Sequence, residues 1–404
     1  MMRAARLLMP ILLLTACSER AAEPVALNLT DILGGSDVEG FERAYQPREF
    51  HFPKDHAAHP GFRNEWWYFT GNVADPQGSR YGYQVTFFRT AISPMARSGE
   101  SSWAVRDLWM AHAAVTDING RRHHASQRFS RANPGLAGAS INPLRVWLDD
   151  WQLTANAPDF QDSDSQNSDP GSTSSQKGPQ NQYPQNTDSP IKEFPWHLNI
   201  RDEDFSLQLS LIALKAPVLH GDQGLSQKST TRGNASYYYS YSRLDTAGQL
   251  CLQGSCTAVA GLSWFDREWS TSSLDAEQSG WDWFSLQFDS GEELMYYQLL
   301  DLAGQADSNS SGSWIDRQGR RRAVARSEIE LEVLSEWQSQ AGQLYPVRWR
   351  MDYLPDAKSW VVQAAVQDQL MDLAIRYWEG AVEVYDTQSM RLVGRGYLEM
   401  TRSM

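Results

Sequence analysis

With 404 residues and 45.7 kDa, the chain is longer than one small domain needs, and its length predicts two domains, each large enough to bury a core. A composition of 41% hydrophobic residues with 16 Trp, 16 Tyr, 14 Phe, 28 Gly and 18 Pro is too apolar for disorder and too interrupted for a helical bundle. A net charge of -13, from 49 acidic against 36 basic side chains, repels phosphate backbones and excludes nucleic acid as a partner.

Arg3 and Arg6 precede an apolar run from Leu7 to Leu14, which predicts an export signal over residues 1–16 that is too short to span a bilayer. Leu14-Thr15-Ala16-Cys17 resembles the lipobox of bacterial lipoproteins, so Cys17 is expected to carry the lipid and residues 17–44 to form a tether. Ser18 is similar to the residue at that position in lipoproteins sent to the outer membrane, which places the mature chain there, facing the periplasm. No later stretch reaches 18 apolar residues, so membrane contact is expected through the lipid alone.

His56 and His59 lie in irregular chain with no evident third ligand, and no metal is expected. The aromatics of Glu65-Trp66-Trp67-Tyr68 fit a plug at a barrel end. Tyr81, Tyr83, Val85 and Phe87 share one face of a half-buried strand, Asn119-Gly120 reads as a hairpin turn, and His123 and His124 beyond it are expected to face solvent. Residues 158–192, rich in Ser, Gln, Asn, Asp and Pro, have almost nothing to bury and predict a disordered insertion in a hairpin loop. Alternation resumes at Phe194, Trp196, Leu198 and Ile200 and again at Phe205, Leu207, Leu209 and Leu211. Ala247-Gly248 and Ser290-Gly291 read as further turns, Val347, Trp349, Met351 and Tyr353 as another strand, and the best helical stripe, Leu370 to Tyr377, is short. Cys251 and Cys256 flank Gly254-Ser255, and in an exported protein they predict a disulfide pinning one turn.

The count is about eight strands before residue 245 and about eight to ten after it, each set enough to close one antiparallel barrel. The domains are therefore placed at 45–245 and 246–404. A small closed barrel holds one apolar ligand in its interior; a pair of β-sandwiches uses the same strands.

The chain has no G-x-S-x-G elbow, H-E-x-x-H, P-loop or C-x-x-C pair, and no cofactor is expected. On a strand, Trp264, Asp266 and Glu268 point to one side and Phe265, Arg267 and Trp269 to the other, which sets two carboxylates roughly 7 Å apart. Facing an apolar cavity, desolvation and mutual repulsion would keep one protonated as a general acid. Alternatively, Asp266, Arg267 and Glu268 tie neighbouring strands through ion pairs. Spacing alone leaves both open.

Six ordered segments are more specific: Asn64 to Asn72 (NEWWYFTGN), Leu219 to Lys228 (LHGDQGLSQK), Ser236 to Ser240 (SYYYS), Trp264 to Trp269 (WFDREW), Gly280 to Phe284 (GWDWF) and Tyr377 to Val382 (YWEGAV). Together they closely resemble the AttH-like family of predicted secreted hydrolases, which is related to the bacterial carotenoid 1,2-hydratases (CrtC-like). The resemblance implies an all-β fold of two tandem lipocalin-like antiparallel β-barrels and a hydrophobic, lipid-like or isoprenoid ligand. Because the AttH-like name refers to a component encoded beside ABC-transporter permeases, it also implies such a permease as partner. Two functions follow: an envelope lipoprotein that binds and carries the ligand, or a hydratase or hydrolase acting on it by acid catalysis. For the second, the hydratase relatives imply roles for Asp266, Tyr239 and His112, with Glu268 raising the pKa of the acid. Trp67, Tyr237, Trp264, Trp281 and Trp283 are the expected ligand contacts.

Overall fold

The computed structural model describes residues 39–94, 106–132, 135–155, 193–272 and 274–402. The export signal, Cys17 and the insertion 158–192 lie outside the described residues. Period-two alternation becomes two curled antiparallel sheets, a barrel and a half-barrel. The first holds β1 (Asn64–Ala74), β2 (Arg80–Ala91), β3 (Asp107–Asp117), β4 (Arg122–Arg131), β5 (Ala137–Ile141), β6 (Leu144–Leu148), β7 (Trp151–Thr154), β8 (Trp196–Arg201), β9 (Phe205–Ala213), β10 (Val218–Leu219), β11 (Leu225–Gln227), β12 (Ala235–Leu252) and β13 (Ser255–Ser270). The second holds β14 (Gln278–Phe288), β15 (Glu293–Asp301), β16 (Ser311–Ile315), β17 (Arg321–Ala325), β18 (Ile329–Gln338), β19 (Leu344–Tyr353), β20 (Lys358–Ala364), β21 (Leu370–Asp372), β22 (Arg376–Asp386) and β23 (Leu392–Arg402).

In each sheet a late strand returns to the centre. β13 pairs with both β1 and β12, which aligns the segments around Tyr68, Ser240 and Asp266; β23 lies between β14 and β22, which brings Glu379 opposite Glu399. Inward residues fill both interiors: Trp67, Phe69, Trp196, Tyr239, Phe265 and Trp269 in the first, and Phe284, Leu286, Trp349, Trp378 and Leu398 in the second. The outer faces of the two sheets pack on each other through a third cluster that includes Tyr68, Tyr238, Trp264, Trp283 and Tyr397. Gly82 permits the close approach, since a Cβ there would fall 2.7 Å from that of Ala381 and 2.8 Å from the Tyr397 hydroxyl.

Several expectations need correction. The boundary at 245/246 falls inside β12, and the change of sheet comes between Ser270 and Gln278, because β13 folds back into the first sheet. Ala247-Gly248 is not a turn: Gly248 lies within β12, where a Cβ would sit 2.0 Å from the Gln208 carbonyl of the neighbouring strand. Leu370 to Tyr377 forms no helix but β21 and the start of β22. His123 and His124 are half-buried rather than solvent-facing, and His123 Nδ1 lies 2.9 Å from Thr116 Oγ1.

Cys251 and Cys256 face each other across the β12–β13 hairpin and are joined by a disulfide; the turn residues are Gln253 and Gly254 rather than Gly254 and Ser255. The closed loop is short, so the bond contributes no more than about 2 kcal/mol of chain entropy. Peptide mapping with a thiol reagent is expected to label neither cysteine before reduction and both after it; labelling of either without reductant would contradict the assignment.

Candidate active site

A cavity of about 90 Å³ lies between the two sheets, not in the interior of either. Strand alternation fixes what reaches it. From the first sheet come Trp66 and Tyr68 of β1, Phe88 of β2, Tyr238 of β12 and Asp266 and Glu268 of β13, together with Lys228; the second sheet contributes Trp281 and Trp283 of β14, Tyr297 of β15 and Glu399 of β23. The wall is aromatic and the floor acidic.

The two carboxylates of β13 meet different fates. Glu268 is ion-paired with Lys228 at 3.1 Å, and the Lys228 ammonium lies over the ring of Tyr297. Arg267 points to the other face, into the first barrel, where it pairs with Glu65. Asp266 has no such partner: among the described residues no lysine or arginine pairs with it, although it is fully enclosed. Its carboxylate accepts hydrogen bonds from neutral groups alone, the Tyr238 hydroxyl on Oδ2 at 2.7 Å, Trp264 Nε1 on Oδ1 at 2.6 Å, and the Ser240 hydroxyl on Oδ1. Burial outweighs those donors and, with the Glu268 charge, pushes the Asp266 carboxyl up to about 7. The ion-pair reading thus holds for Arg267 and Glu268 and fails for Asp266.

The second sheet adds a pair of acids. Glu399 is also pushed up to about 7, chiefly by burial against the bond donated by Trp281 Nε1 at 2.7 Å, and further by Asp266 and Glu268. Glu379, opposite Glu399 on β22, is driven well above the carboxylate range by burial and by Glu399, with the Tyr68 and Tyr377 hydroxyls as its neighbours. Folding therefore raises the pKa of each of these three carboxyls. For Asp266 and Glu399 the folded state holds more protons than the open chain between about pH 4 and 7, so their contribution to stability is greatest below that window and falls as pH rises through it, by about 1.4 kcal/mol per unit per proton. Buried histidines whose pKa values are lowered, His112 among them, act in the opposite sense over the same range, so the comparison is between proteins: the urea midpoint at pH 5.5 minus that at pH 8 is expected to be smaller in Asp266→Asn than in wild type, and equal differences would contradict the titration assigned to Asp266.

The AttH-like family model matches residues 43–174 and 180–403. The chain belongs to the AttH-like family. Among solved structures, this AttH-like chain is similar to a putative AttH from Nitrosomonas europaea, 29% identical, with a TM-score of 0.72 over 89% of this chain and 99% of that one. It is also similar to kievitone hydratase from Nectria haematococca, 11% identical, with a TM-score of 0.62 over 90% of this chain and 98% of that one, which is a likeness of fold alone. Comparison with curated proteins gives no match.

Of the residues singled out in the AttH-like sequence, Asp266, Glu268, Trp281 and Trp283 line the cavity, and Trp264 stands behind it as a donor to Asp266. Trp67, Tyr237 and Tyr239 do not reach it, because all three point into the first barrel: Trp67 stacks on Trp109, Tyr237 packs on Phe62, and the Tyr239 hydroxyl bonds His56 Nδ1 at 2.6 Å. His112 shares the outer face, in the row that runs from Asp266 through Tyr68 and Thr86, but its Nδ1 meets the Tyr377 hydroxyl at 2.8 Å and it has no contact with Asp266. Burial pushes its imidazole down to about 3, so it is neutral near pH 7. The residues the sequence reading missed are Tyr238, Ser240, Lys228, Glu379 and Glu399. Among the described residues no cluster of three or more His, Cys, Asp or Glu side chains is arranged to hold a metal.

Proposed function

We propose that the chain is an acid–base catalyst that adds water to, or removes it from, a neutral hydrophobic ligand whose reacting end enters the cavity between the sheets. The observation that carries this reading is Asp266, a buried carboxyl hydrogen-bonded to neutral donors and paired with no cation, protonated near neutrality and set beside an aromatic wall. In the hydration direction, the Asp266 proton forms a C–H bond with the π electrons of an alkene carbon, and the electron-poor carbon left behind faces Trp66, Trp281 and Trp283, whose ring quadrupoles favour positive charge. Water bonds to that carbon and releases its proton to the Glu399 carboxylate. The sum is alkene plus water to alcohol, and proton return from Glu399 to Asp266 resets the site. With both carboxyls at about 7, each repelling charge on the other, the singly protonated pair that this cycle needs prevails near neutral pH.

In this reading the ligand is lipid-like or isoprenoid, Cys17 carries the lipid that holds the chain at the periplasmic face of the outer membrane, and an ABC-transporter permease supplies or removes the ligand. The test is mass spectrometry of small molecules extracted from the protein purified from its native envelope, wild type against Asp266→Asn. A compound differing by one water from the wild-type ligand, accumulating only in the variant, is expected; the same ligand in both would instead make the chain a carrier.

A further inference from the structure

The Ser240 hydroxyl that donates to Asp266 Oδ1 is also 2.6 Å from His220 Nε2. His220 follows β10 in the segment Leu219 to Lys228 and is buried where the sheets meet, its ring 4.3 Å from that of Tyr238. Its Nδ1 lies 2.8 Å from Ser313 Oγ on β16 of the second sheet, and Ser313 Oγ in turn receives the Nε–H of Arg321 on β17 at 2.8 Å.

The polarity of this chain follows from its ends. An arginine Nε–H only donates, so the single proton of Ser313 is free to go to His220 Nδ1. A neutral imidazole that accepts at Nδ1 carries its proton on Nε2. Burial, with the Arg321 and Lys228 cations nearby, holds His220 well below its ordinary range and keeps it neutral. Nε2–H then donates to Ser240, and Ser240 donates to Asp266 Oδ1. Trp264 Nε1, also a donor only, adds a second bond to that oxygen. Oδ2 receives Tyr238 alone, whose own oxygen takes the Trp283 Nε1–H at 3.1 Å.

We infer that His220 is a positioning residue: a one-way hydrogen-bond chain from Arg321 through Ser313, His220 and Ser240 crosses from the second sheet to saturate Asp266 Oδ1, so that the acidic proton is carried on Oδ2, beside Tyr238. The inference rests on the reading of Asp266 as the acid and adds what fixes its orientation and acidity. Glu268, Glu399 and Lys228, the charged groups that also face Asp266 across the cavity, are not members of the chain.

The experiment is NMR of the mature protein labelled with 15N-histidine and 13C-aspartate, titrated from about pH 5 to 9 across the neutral window. Wild type is expected to show His220 as the Nε2–H tautomer throughout, with Asp266 titrating at about 7. His220→Leu removes the donor relay and should raise the Asp266 midpoint by about one unit, and His220→Gln, whose amide retains a donor and an acceptor, should bring it back. Arg321→Met, a half-buried change that leaves His220 and Asp266 in place, frees the Ser313 proton, and the His220 ring is expected to become a mixture of tautomers; this variant keeps the test available if His220→Leu does not fold. A wild-type ring protonated on Nδ1, an Asp266 midpoint unmoved in His220→Leu, or an unchanged tautomer in Arg321→Met would overturn the inference. Titration of wild-type Asp266 in the ordinary carboxylate range beside an Nε2–H ring would instead sink the acid reading and leave the polarity of the chain standing.

Discussion

Asp266→Asn is expected to lower turnover of the bound ligand by about 10²- to 10⁴-fold, the usual contribution of a positioned general acid, while both sheets stay folded. The amide keeps the volume and can still accept from Trp264, Ser240 or Tyr238, so the substitution removes the ionisable proton and little packing. Turnover in the wild type should trace a bell against pH with its maximum near 7, because it requires one of Asp266 and Glu399 protonated and the other ionised. Single-turnover rates across that range check both statements. A variant as active as wild type would return Asp266 to a structural role, and a variant that cannot fold would mean that its three hydrogen bonds matter chiefly for stability.

Glu65→Ala is expected to cost about 3–5 kcal/mol of folding stability, because it strands buried cations. Glu65 is fully enclosed in the first barrel, accepts from Arg89 Nε and Arg267 Nη2, and receives the His59 backbone N–H at 3.0 Å. Arg267 itself is 0% exposed and lies 3.8 Å from the Trp67 ring centroid, so the carboxylate cannot be replaced by water. These cations hold the Glu65 carboxyl well below the usual range despite its burial, so its stabilisation is present above the ordinary carboxylate pKa and fades in acid as pH falls toward the folded value. Urea denaturation at pH 7 measures the loss; a shift below about 1 kcal/mol, the scale of a surface ion pair, would contradict the network.

The contrast between Glu65 and Asp266 is where sequence reading reached its limit. Alternation along β13 was legible, since period two alone separates Trp264, Asp266 and Glu268 from Phe265, Arg267 and Trp269. Which tyrosine joins Asp266 was not. Counting back from Cys251 opposite Cys256 brings Tyr241 opposite Asp266 and so turns Tyr239 to its face, but the register slips by one between Tyr241 and Leu244, Ser240 becomes the partner, and Tyr238 takes the place expected of Tyr239. A bulge leaves little local signature in a run such as Tyr237 to Tyr241. Glu399 could not be found for another reason: it reaches the cavity only because the outer faces of two sheets pack together, and no spacing within β23 encodes that approach. Lys228 and Glu379 did lie in segments that carried the family resemblance, but whether a charge there is paired or isolated depends on partners distant in the chain. The two-sheet architecture was readable, and the point where the chain changes sheet was not, because β13 continues the same alternation into the first sheet.

A protonated Asp266 at neutral pH is tested most directly by infrared difference spectroscopy of wild type minus Asp266→Asn across a pH series. A protonated carboxyl C=O band that is present at pH 6 and disappears with a midpoint of about 7 is the predicted result. An ionised carboxylate signal already complete at pH 5 would place Asp266 in the ordinary range and contradict the proposed acid.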